Sequence, residues 1–274
     1  MEKNKKVLIG LKQKRRPVAL IIIIVVIIIA AAAWLFIFGP LSGVFGSKTP
    51  KSIKIGQSKF DYPPLHYADE NKVLVGFDVD LANAAAEIMG VEVEFVPILW
   101  SESTEVLESG EVDMLWGGLA RASLDESIVR FTKAYLRSNI VFLMLEDRDY
   151  NEPKDLQGLS VCALNFTPAF NYLQVYRSDV IKSQRSSTPT GYRELQNALS
   201  SGEFDCMITD TSFASFFLKQ YGSDIYRMSD TVSVSNYAVG VRVEDTDLFE
   251  QLQSALDELQ DNGTIDMLRE KWIG

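Results

Sequence analysis

Two short apolar stretches of the chain end in residues that could hold a small charged molecule. Gly117 and Gly118 follow the first stretch, and Thr209 and Asp210 close the second. Glycine lets a backbone N–H approach a ligand closely, and a carboxylate such as Asp210 can pair with an ammonium group. Two simpler interpretations stay open: the glycines could form a tight turn, and Asp210 could only cap the helix after it.

Each stretch is the end of a pattern that occurs twice. The first repeat (residues 107–118) and the second repeat (residues 199–210) both consist of a helix end, a glycine, an acidic-apolar-Asp step and a short apolar strand. In open α/β sheets, ligands bind beyond the carboxyl ends of the strands. We therefore predict two similar α/β lobes whose strand ends face each other across a ligand-binding cleft.

The elements around the repeats support this architecture. From residue 52 onward, short apolar strands alternate with helices, a spacing that predicts α/β units with mostly parallel sheets. Asp78 and Thr167 are each placed to cap a helix, and Pro168 suits a first helical turn. His66, the only histidine, lies in a predicted loop and is expected to be solvated. A single histidine excludes a multi-histidine metal site, and we predict neither a metal nor a cofactor.

Charge and cysteine content narrow the function further. Residues 1–50 hold eight Lys or Arg and one acid, and the remainder holds 19 basic and 36 acidic residues, so the two parts carry +7 and −17. An acidic body argues against nucleic acid as a partner and is compatible with a cationic ligand, although net charge more often reflects solubility. Cys162 and Cys206 lie in predicted buried strands and could be thiols or one disulfide, with thiols favoured.

The N-terminus has the pattern of a membrane anchor. A basic segment precedes 21 consecutive apolar residues, 18–38, enough for a helix to cross the hydrocarbon layer. We predict a cytoplasmic segment at 1–16, a single transmembrane anchor at 17–39 and a tether at 40–51, with the body extracytoplasmic because positive residues stay inside. A cleaved signal peptide is the alternative, but its apolar region is usually only about 7–15 residues long.

Six short segments of the body occur in an order and spacing typical of one family. They are Tyr62-Pro63-Pro64-Leu65, Gly76–Leu81, Val96–Trp100, Ser109–Asp113, Asp155–Leu159 and the ending Asn262–Trp272. Each is weak alone, but together they extend over most of the body. On these segments the chain resembles the family-3 extracytoplasmic solute-binding proteins, the amino-acid receptors of ABC importers.

This resemblance implies a type II periplasmic-binding-protein fold, in which two lobes joined by two hinge strands close on a small ligand. We place lobe 1 at residues 52–145 and 238–274 and lobe 2 at 146–237, with crossings near 143–148 and 236–242. The resemblance also implies an ABC permease in the membrane as partner, a small-molecule ligand and no enzymatic activity. We expect a monomer.

The resemblance further assigns roles to residues at the cleft. Tyr62 and Trp100 match aromatic positions that flank the ligand side chain, and aromatic faces also suit a cationic side chain. Gly117 and Gly118 match positions whose backbone N–H groups meet the ligand carboxylate, and Asp210 matches the acid that pairs with the α-ammonium group. For the two aromatic residues, packing in the core is the alternative.

The family pattern is altered at the carboxylate end of the site. The position after the first repeat where the family has Thr or Ser is occupied by Ala120. The position of the arginine that clamps the ligand carboxylate in the family is occupied by Asp125. In the second lobe, the Gly-Thr or Gly-Ser pair reads Phe166-Thr167. Because Asp125 would repel a carboxylate, either Arg121 supplies the clamp from a new direction or Arg121 is a surface residue and the ligand lacks a free carboxylate.

Three functions are compatible with these features. The first is a membrane-tethered receptor that delivers a polar amino acid or a related small amine to an ABC permease. The second is a ligand-sensing or scaffolding protein of the same fold, which the altered clamp and the anchor suggest. The third and least favoured is a dehydratase-type enzyme, which would need a general acid in the cleft. Asp125 and Asp210 are possible acids, and nothing in the sequence singles them out.

Overall fold

The computed structural model describes residues 51–120, 124–164, 167–175, 183–187 and 192–274. The predicted segments 1–16 and 17–39 lie outside these residues, as do Arg121 and all but the last residue of the tether. None of the described helices is both long and apolar enough to cross a membrane.

Strands and helices alternate through the body. The strands are β1 (Lys51–Ser58), β2 (Tyr67–Ala68), β3 (Leu74–Val75), β4 (Val91–Ile98), β5 (Met114–Leu115), β6 (Val129–Phe131), β7 (Leu136–Leu145), β8 (Ser160–Leu164), β9 (Ser183–Ser187), β10 (Cys206–Asp210), β11 (Tyr226–Met228), β12 (Ser233–Tyr237) and β13 (Gly240–Arg242). The α-helices are α1 (Phe77–Met89), α2 (Ser103–Glu108), α3 (Pro168–Val175), α4 (Tyr192–Ser200), α5 (Thr211–Tyr221), α6 (Thr246–Asp261) and α7 (Thr264–Trp272).

The first sheet has the strand order β4-β1-β5-β13-β6. β1 runs parallel to β4 and β5, whereas β13 is antiparallel to β5 and β6. Ile53 and Ile55 alternate with exposed residues along β1 and are buried in one cluster with Leu81 and Ala85 of α1. α1 ends at Gly90, whose φ of 66° is the left-handed conformation of a C-cap.

The second sheet has the order β11-β7-β10-β8-β9, and β12 also pairs with β7. β10, β8 and β9 are parallel, whereas β7 is antiparallel to β10, β11 and β12. The predicted α/β architecture is confirmed. The prediction of mostly parallel sheets is wrong. The strands that flank the two connections between the sheets, β6, β7, β12 and β13, are antiparallel to their neighbours.

The described chain passes between the two sheets twice. The first passage is 132–135, between β6 and β7, and the second is Ala238–Val239, between β12 and β13. The first passage comes earlier than the predicted 143–148, because the whole strand 136–145 pairs with the second sheet. Residues 136–145, which the sequence analysis placed in lobe 1, therefore belong with the second sheet.

The two cysteines are buried, free thiols in neighbouring strands, so the favoured interpretation is confirmed. Burial raises the pKa of the Cys162 thiol to about 12 and that of Cys206 well above its ordinary value. Both thiols are therefore protonated at neutral pH and act as packing groups in the second sheet.

Each repeat ties its strand to a neighbour through the same pair of hydrogen bonds. In the first repeat, the Asp113 N–H donates to the Lys54 carbonyl oxygen, and the Lys54 N–H donates to Asp113 Oδ2, both at 2.8 Å. In the second repeat, Asp205 and Ser160 form the same two bonds, both at 2.9 Å. The aspartate of each repeat thus fixes the start of β5 or β10 beside a parallel strand.

Candidate ligand-binding site

Asp210 ends β10 and caps α5, so the capping role is confirmed. Its Oδ1 accepts hydrogen bonds from the backbone N–H groups of Ser212 (3.0 Å) and Phe213 (3.2 Å) and from the Ser138 hydroxyl (2.7 Å). Its Oδ2 accepts a hydrogen bond from the Tyr62 hydroxyl. Asp210 is 1% exposed, so its carboxylate is buried among donors from the protein.

Tyr62 reaches Asp210 from the side of the first sheet. It lies in the loop between β1 and β2 and is 6% exposed. Its hydroxyl also lies 3.2 Å from the hydroxyl of Tyr237, the last residue of β12. One tyrosine hydroxyl therefore contacts two strands of the second sheet, and this contact joins the two sheets at their facing ends.

Gly117 and Gly118 let the Tyr62 loop approach the end of β5. Gly118 has a φ of 66°, and a Cβ atom there would lie 2.8 Å from Tyr62 Cε1. A Cβ atom at Gly117 would lie 3.2 Å from His66 Cε1. The Gly118 N–H donates to Asp78 Oδ2 at 2.9 Å. The N–H that the resemblance assigns to a ligand carboxylate is therefore bonded within the protein in this structure.

Asp78, in the first turn of α1, is a fully buried acid at this end of the first sheet. Burial is the main cause that raises its pKa to about 7, and the charge of Asp210 acts in the same direction. The nearby Tyr135 hydroxyl and the Gly118 N–H oppose this shift. Burial also raises the pKa values of Tyr135 and Tyr237 well above the usual range, so both phenols stay protonated.

Metal binding has no support in the described part of the chain. There, no group of three or more histidine, cysteine or acidic side chains could hold a metal ion. The carboxyl groups of Asp78 and Asp210 instead meet backbone N–H groups and, at Asp210, hydroxyl groups. Such an arrangement suits recognition of an organic ligand by hydrogen bonds.

His66 is buried, so the prediction that it is solvated is wrong. It is 2% exposed, and its ring stands edge-on to Tyr62 with the centroids 6.2 Å apart. The loop turns inward because the Tyr62 N–H donates to the His66 carbonyl oxygen at 2.6 Å. Burial lowers the pKa of His66 to about 4, although the nearby backbone groups of Phe60 and Ser58 act in the opposite direction.

A cavity of about 460 Å³ lies next to the Tyr62–Asp210 contact. Ala120 lines it and forms a β-bridge to Tyr237, and Ile140 lines it and pairs with Asp210 across the sheet. Its volume suits a small organic ligand. The other lining residues belong to α3 or to the segment that contains β12: Pro168, Asn171, Tyr172, Val175, Val232, Ser233, Val234, Ser235 and Asn236.

Thr167 caps α3, as predicted, directly before the cavity-lining Pro168. Its hydroxyl donates to the Leu164 carbonyl oxygen at 2.7 Å and accepts from the Phe170 N–H at 3.2 Å. Thr167 is buried, so the structure places its hydroxyl in the cap and only its neighbour in the cavity wall.

The remaining predicted positions lie elsewhere. Trp100 is half-buried in a short 3-10 helix and packs on a hydrophobic cluster that includes Leu107. Asp125 is exposed in a turn, where the Ser127 N–H donates to its carboxylate at 2.8 Å and lowers its pKa. Asp125 is followed by a turn that leads into β6. The structure therefore brings together Tyr62, Gly117, Gly118 and Asp210, with Ala120 beside them.

Ser138, Tyr237 and the buried role of Asp78 were missed in the sequence analysis. Asp78 makes no side-chain cap bond to α1. Ser138 shares a strand face with Leu136 and Ile140, and a polar residue in the buried phase of an apolar strand is a usable signal. Tyr237 carries no such signal, because a tyrosine at a strand end equally predicts packing.

Comparison with known proteins agrees with this geometry. Residues 53–274 match the family described as bacterial extracellular solute-binding proteins, family 3. The arginine-binding extracellular protein ArtP of Bacillus subtilis (strain 168) is 26% identical over 239 residues, which cover 83% of this chain and 89% of the relative. The L-cystine-binding protein TcyJ of Escherichia coli (strain K12) is 25% identical over 215 residues, covering 78% of this chain and 79% of the relative.

A solved structure shows the same fold. An ancestral arginine-binding protein bound to arginine is 28% identical, with a TM-score of 0.73 over 81% of this chain and 98% of that one. These relatives are binding proteins and not enzymes, as expected for this chain. With two sheets linked by two passages and a match over residues 53–274, the chain belongs to family 3 of the bacterial extracellular solute-binding proteins.

Proposed function

We propose that the protein is the substrate-binding component of an ABC importer and binds a polar amino acid or a related small amine between its two sheets. The observation that carries this proposal is the buried Asp210 carboxylate on the second sheet, faced by Tyr62 and Gly118 from the first. A ligand at this point contacts both sheets, so its binding favours closure. The arginine- and cystine-binding relatives support an amino-acid-like ligand.

The charges favour recognition of a cationic group over recognition of a carboxylate. Asp210 brings a buried carboxylate to the facing ends of the sheets, and the resemblance puts the exposed Asp125 at the position of the family's clamping arginine. We therefore propose a cationic amino acid whose carboxylate meets Arg121, or an amine that has no free carboxylate. The aromatic face of Tyr62 also suits a cationic side chain.

We further propose that residues 17–39 anchor the protein in the cell membrane as a single span. The support is the unbroken apolar run at 18–38 and the basic segment before it. The N-terminus is then cytoplasmic, the body is extracytoplasmic, and the tether at 40–51 places the body near the permease. We propose that the body acts as a monomer, since one chain holds both sides of the site.

Thermal unfolding of the detergent-solubilised full-length chain tests the proposed ligand class. We expect a stabilising shift with L-arginine or another cationic amine, because a ligand at 100 times its dissociation constant adds about 2.7 kcal/mol to the unfolding free energy. Asp210→Asn removes the negative charge and should abolish the shift. No shift across a broad panel of amino acids, amines and small peptides would refute the transport function.

A diverged sensor or scaffold of the same fold is the second candidate. Its specific support is that both oxygens of Asp210 already accept hydrogen bonds from the protein. Affinity purification of the full chain from membranes separates the two candidates. Recovery of permease subunits supports transport, whereas recovery of a kinase or a cell-wall protein without a permease supports sensing or scaffolding.

A further inference from the structure

The Tyr62 hydroxyl occupies the one side of Asp210 that faces the first sheet. The other carboxylate oxygen is held by two backbone N–H groups of α5 and by the Ser138 hydroxyl of β7. Oδ2 is therefore the Asp210 oxygen that can accept a hydrogen bond from a group on the side of the first sheet. In this structure the Tyr62 hydroxyl donates to it. A ligand ammonium group that pairs with Asp210 has to compete with this phenol.

The loop that carries Tyr62 is fixed to the first sheet by its own backbone. The Leu65 and His66 N–H groups donate to the Tyr62 carbonyl oxygen at 2.8 and 3.1 Å. The start of α1 holds the same loop, because the Phe77 N–H donates to the Pro64 carbonyl oxygen at 2.9 Å. The phenol is thus presented to Asp210 at little further cost in conformational entropy.

A second contact between the same elements lies one turn further along α5. The ring of Tyr67, in β2, lies 5.8 Å from the ring of Phe216, centroid to centroid. The strand and loop at 62–67 therefore contact α5 at its N-cap and again at its second turn. Together these contacts hold the 62–67 segment against the start of α5.

We propose that Tyr62 acts as a built-in latch and competitor: its hydroxyl holds the cleft closed through Asp210 and must leave Asp210 before a ligand ammonium group can bind there. This inference rests in part on the proposed function, since the competitor role needs an amine ligand, whereas the latch does not. It predicts selection for ligands whose cationic group is a stronger donor to Asp210 than a neutral phenol. It also predicts that the closed form is populated in the ligand-free protein.

The latch is tested by measuring the distance between the sheets in the full-length chain in nanodiscs, without added amino acids. Spin labels are attached at Ser109→Cys and Ser201→Cys, which are exposed, equivalent positions of the two repeats. Both native cysteines are buried and stay unlabelled. Tyr62→Phe keeps the ring against Gly118 and removes the donor, so we expect the main distance to increase by more than about 2 Å.

Tyr226→Phe is the matched control, because it also removes a buried tyrosine hydroxyl that is hydrogen-bonded, in this case to Ser200 within the second-sheet half. This control should leave the distance unchanged. The latch is refuted if the parent protein already shows the longer distance, if Tyr62→Phe does not lengthen it, or if Tyr226→Phe lengthens it equally.

The competitor role is tested by calorimetric titration of the same variants with L-arginine and with Nα-acetyl-L-arginine, which has no α-ammonium group. Tyr62→Phe should strengthen L-arginine binding about tenfold, since a hydrogen bond to a charged group contributes about 1.5 kcal/mol or more. It should not strengthen binding of the acetylated probe, which has no α-ammonium group to pair with Asp210. Equal affinities of both proteins for L-arginine would overturn the competitor role. If neither protein binds either probe while Tyr62→Phe still lengthens the distance, the proposed arginine-like ligand fails and the latch stands.

Discussion

The two repeats are alike where they build the sheets and differ at the candidate ligand-binding site. Asp113 and Asp205 make the same pair of backbone bonds to a neighbouring strand, at 2.8 and 2.9 Å. Five residues later the first repeat has Gly118 and the second has Asp210. Both residues contact Tyr62. The Gly118 backbone lies close to the Tyr62 ring, and Asp210 accepts a hydrogen bond from the Tyr62 hydroxyl.

Within one sequence pattern, Asp113 and Asp205 serve the sheets, whereas Gly118 and Asp210 lie at the candidate site. The acidic residue at the start of each strand is fixed by the sheet, because the strand has to begin beside its parallel neighbour. The residue five positions later does not make this pair of bonds and differs between the two repeats. The Tyr62 ring lies against Gly118 on one side, and its hydroxyl donates to Asp210 on the other, and we propose that recognition occurs here.

The largest expected effect on stability comes from changing Asp210, the carboxylate at the end of the second repeat. Asp210→Ala removes the helix cap and leaves the Ser138 and Tyr62 hydroxyls without their buried acceptor, so we expect the unfolding free energy to fall by about 4 kcal/mol. Asp210→Asn keeps an acceptor oxygen and should cost about 1–2 kcal/mol. Chemical denaturation of the full-length chain measures both values. Equal losses for the two variants would contradict the assignment of these hydrogen bonds.

The glycine side should be nearly as sensitive. Gly118→Ala places a Cβ atom 2.8 Å from Tyr62 Cε1 at a φ of 66°, so strain and overlap together should cost about 3 kcal/mol. Gly110→Ala and Gly202→Ala are matched controls, since both glycines have positive φ and nothing lies within 4 Å of an added Cβ. Each control should cost about 1 kcal/mol. A Gly118 loss no larger than the control losses would show that the Tyr62 ring is not packed against this turn.

The scaffold was the more predictable part because local patterns determine it. The helix stop at Gly90, the cap at Thr167 and the glycine-acid-Asp step of both repeats are short-range signals that packing did not override. Sheet membership is not local. The apolar strand 136–145 fits either sheet, so its pairing with the second sheet could not be predicted from periodicity.

Several residues that lie together in the structure were named from the sequence, but their contacts were not. Tyr62, Gly118 and Asp210 were identified by resemblance, yet the bond from Tyr62 to Asp210 depends on how the two sheets face each other. His66 was predicted to be solvated because it lies in a predicted loop. Its burial follows from the inward turn that the Tyr62–His66 backbone bond creates, which no composition rule reports.

Asp78 and His66, which lie beside the glycines that end the first repeat, should have opposite effects on how stability depends on pH. Asp78, with its pKa raised from about 3.9 to about 7, is favoured as the neutral acid, so its contribution falls as pH rises between these values. His66, with its pKa lowered from about 6.5 to about 4, is favoured neutral, so its contribution rises with pH over that interval. From about pH 4 to 6.5 the two slopes nearly cancel.

Single variants expose each slope. Between pH 4.5 and 6.0, Asp78→Asn should make the unfolding free energy rise with pH by about 1–2 kcal/mol more than in the parent, and His66→Gln should make it fall by a similar amount. Urea denaturation of the solubilised chain at both pH values measures this change. Parallel profiles for the parent and both variants would show that neither group titrates in the buried setting described above.

The smallest expected effect tests whether the repeats are physically equivalent. Asp113→Ala and Asp205→Ala each remove the side-chain acceptor for one backbone N–H, and we expect similar losses of about 1 kcal/mol. Asp113→Ala should cost slightly more, because the Arg242 guanidinium lies 3.5 Å from Asp113 Oδ1 and loses an acidic neighbour. Ser109→Ala and Ser201→Ala are controls at exposed positions, where each hydroxyl donates at 3.2 Å to the carbonyl oxygen three residues earlier. These two controls should change stability by less than about 0.5 kcal/mol. If the two aspartate losses differ by several kcal/mol, the shared hydrogen bonds do not make the repeats equivalent, and the separation of scaffold from recognition has to be redrawn.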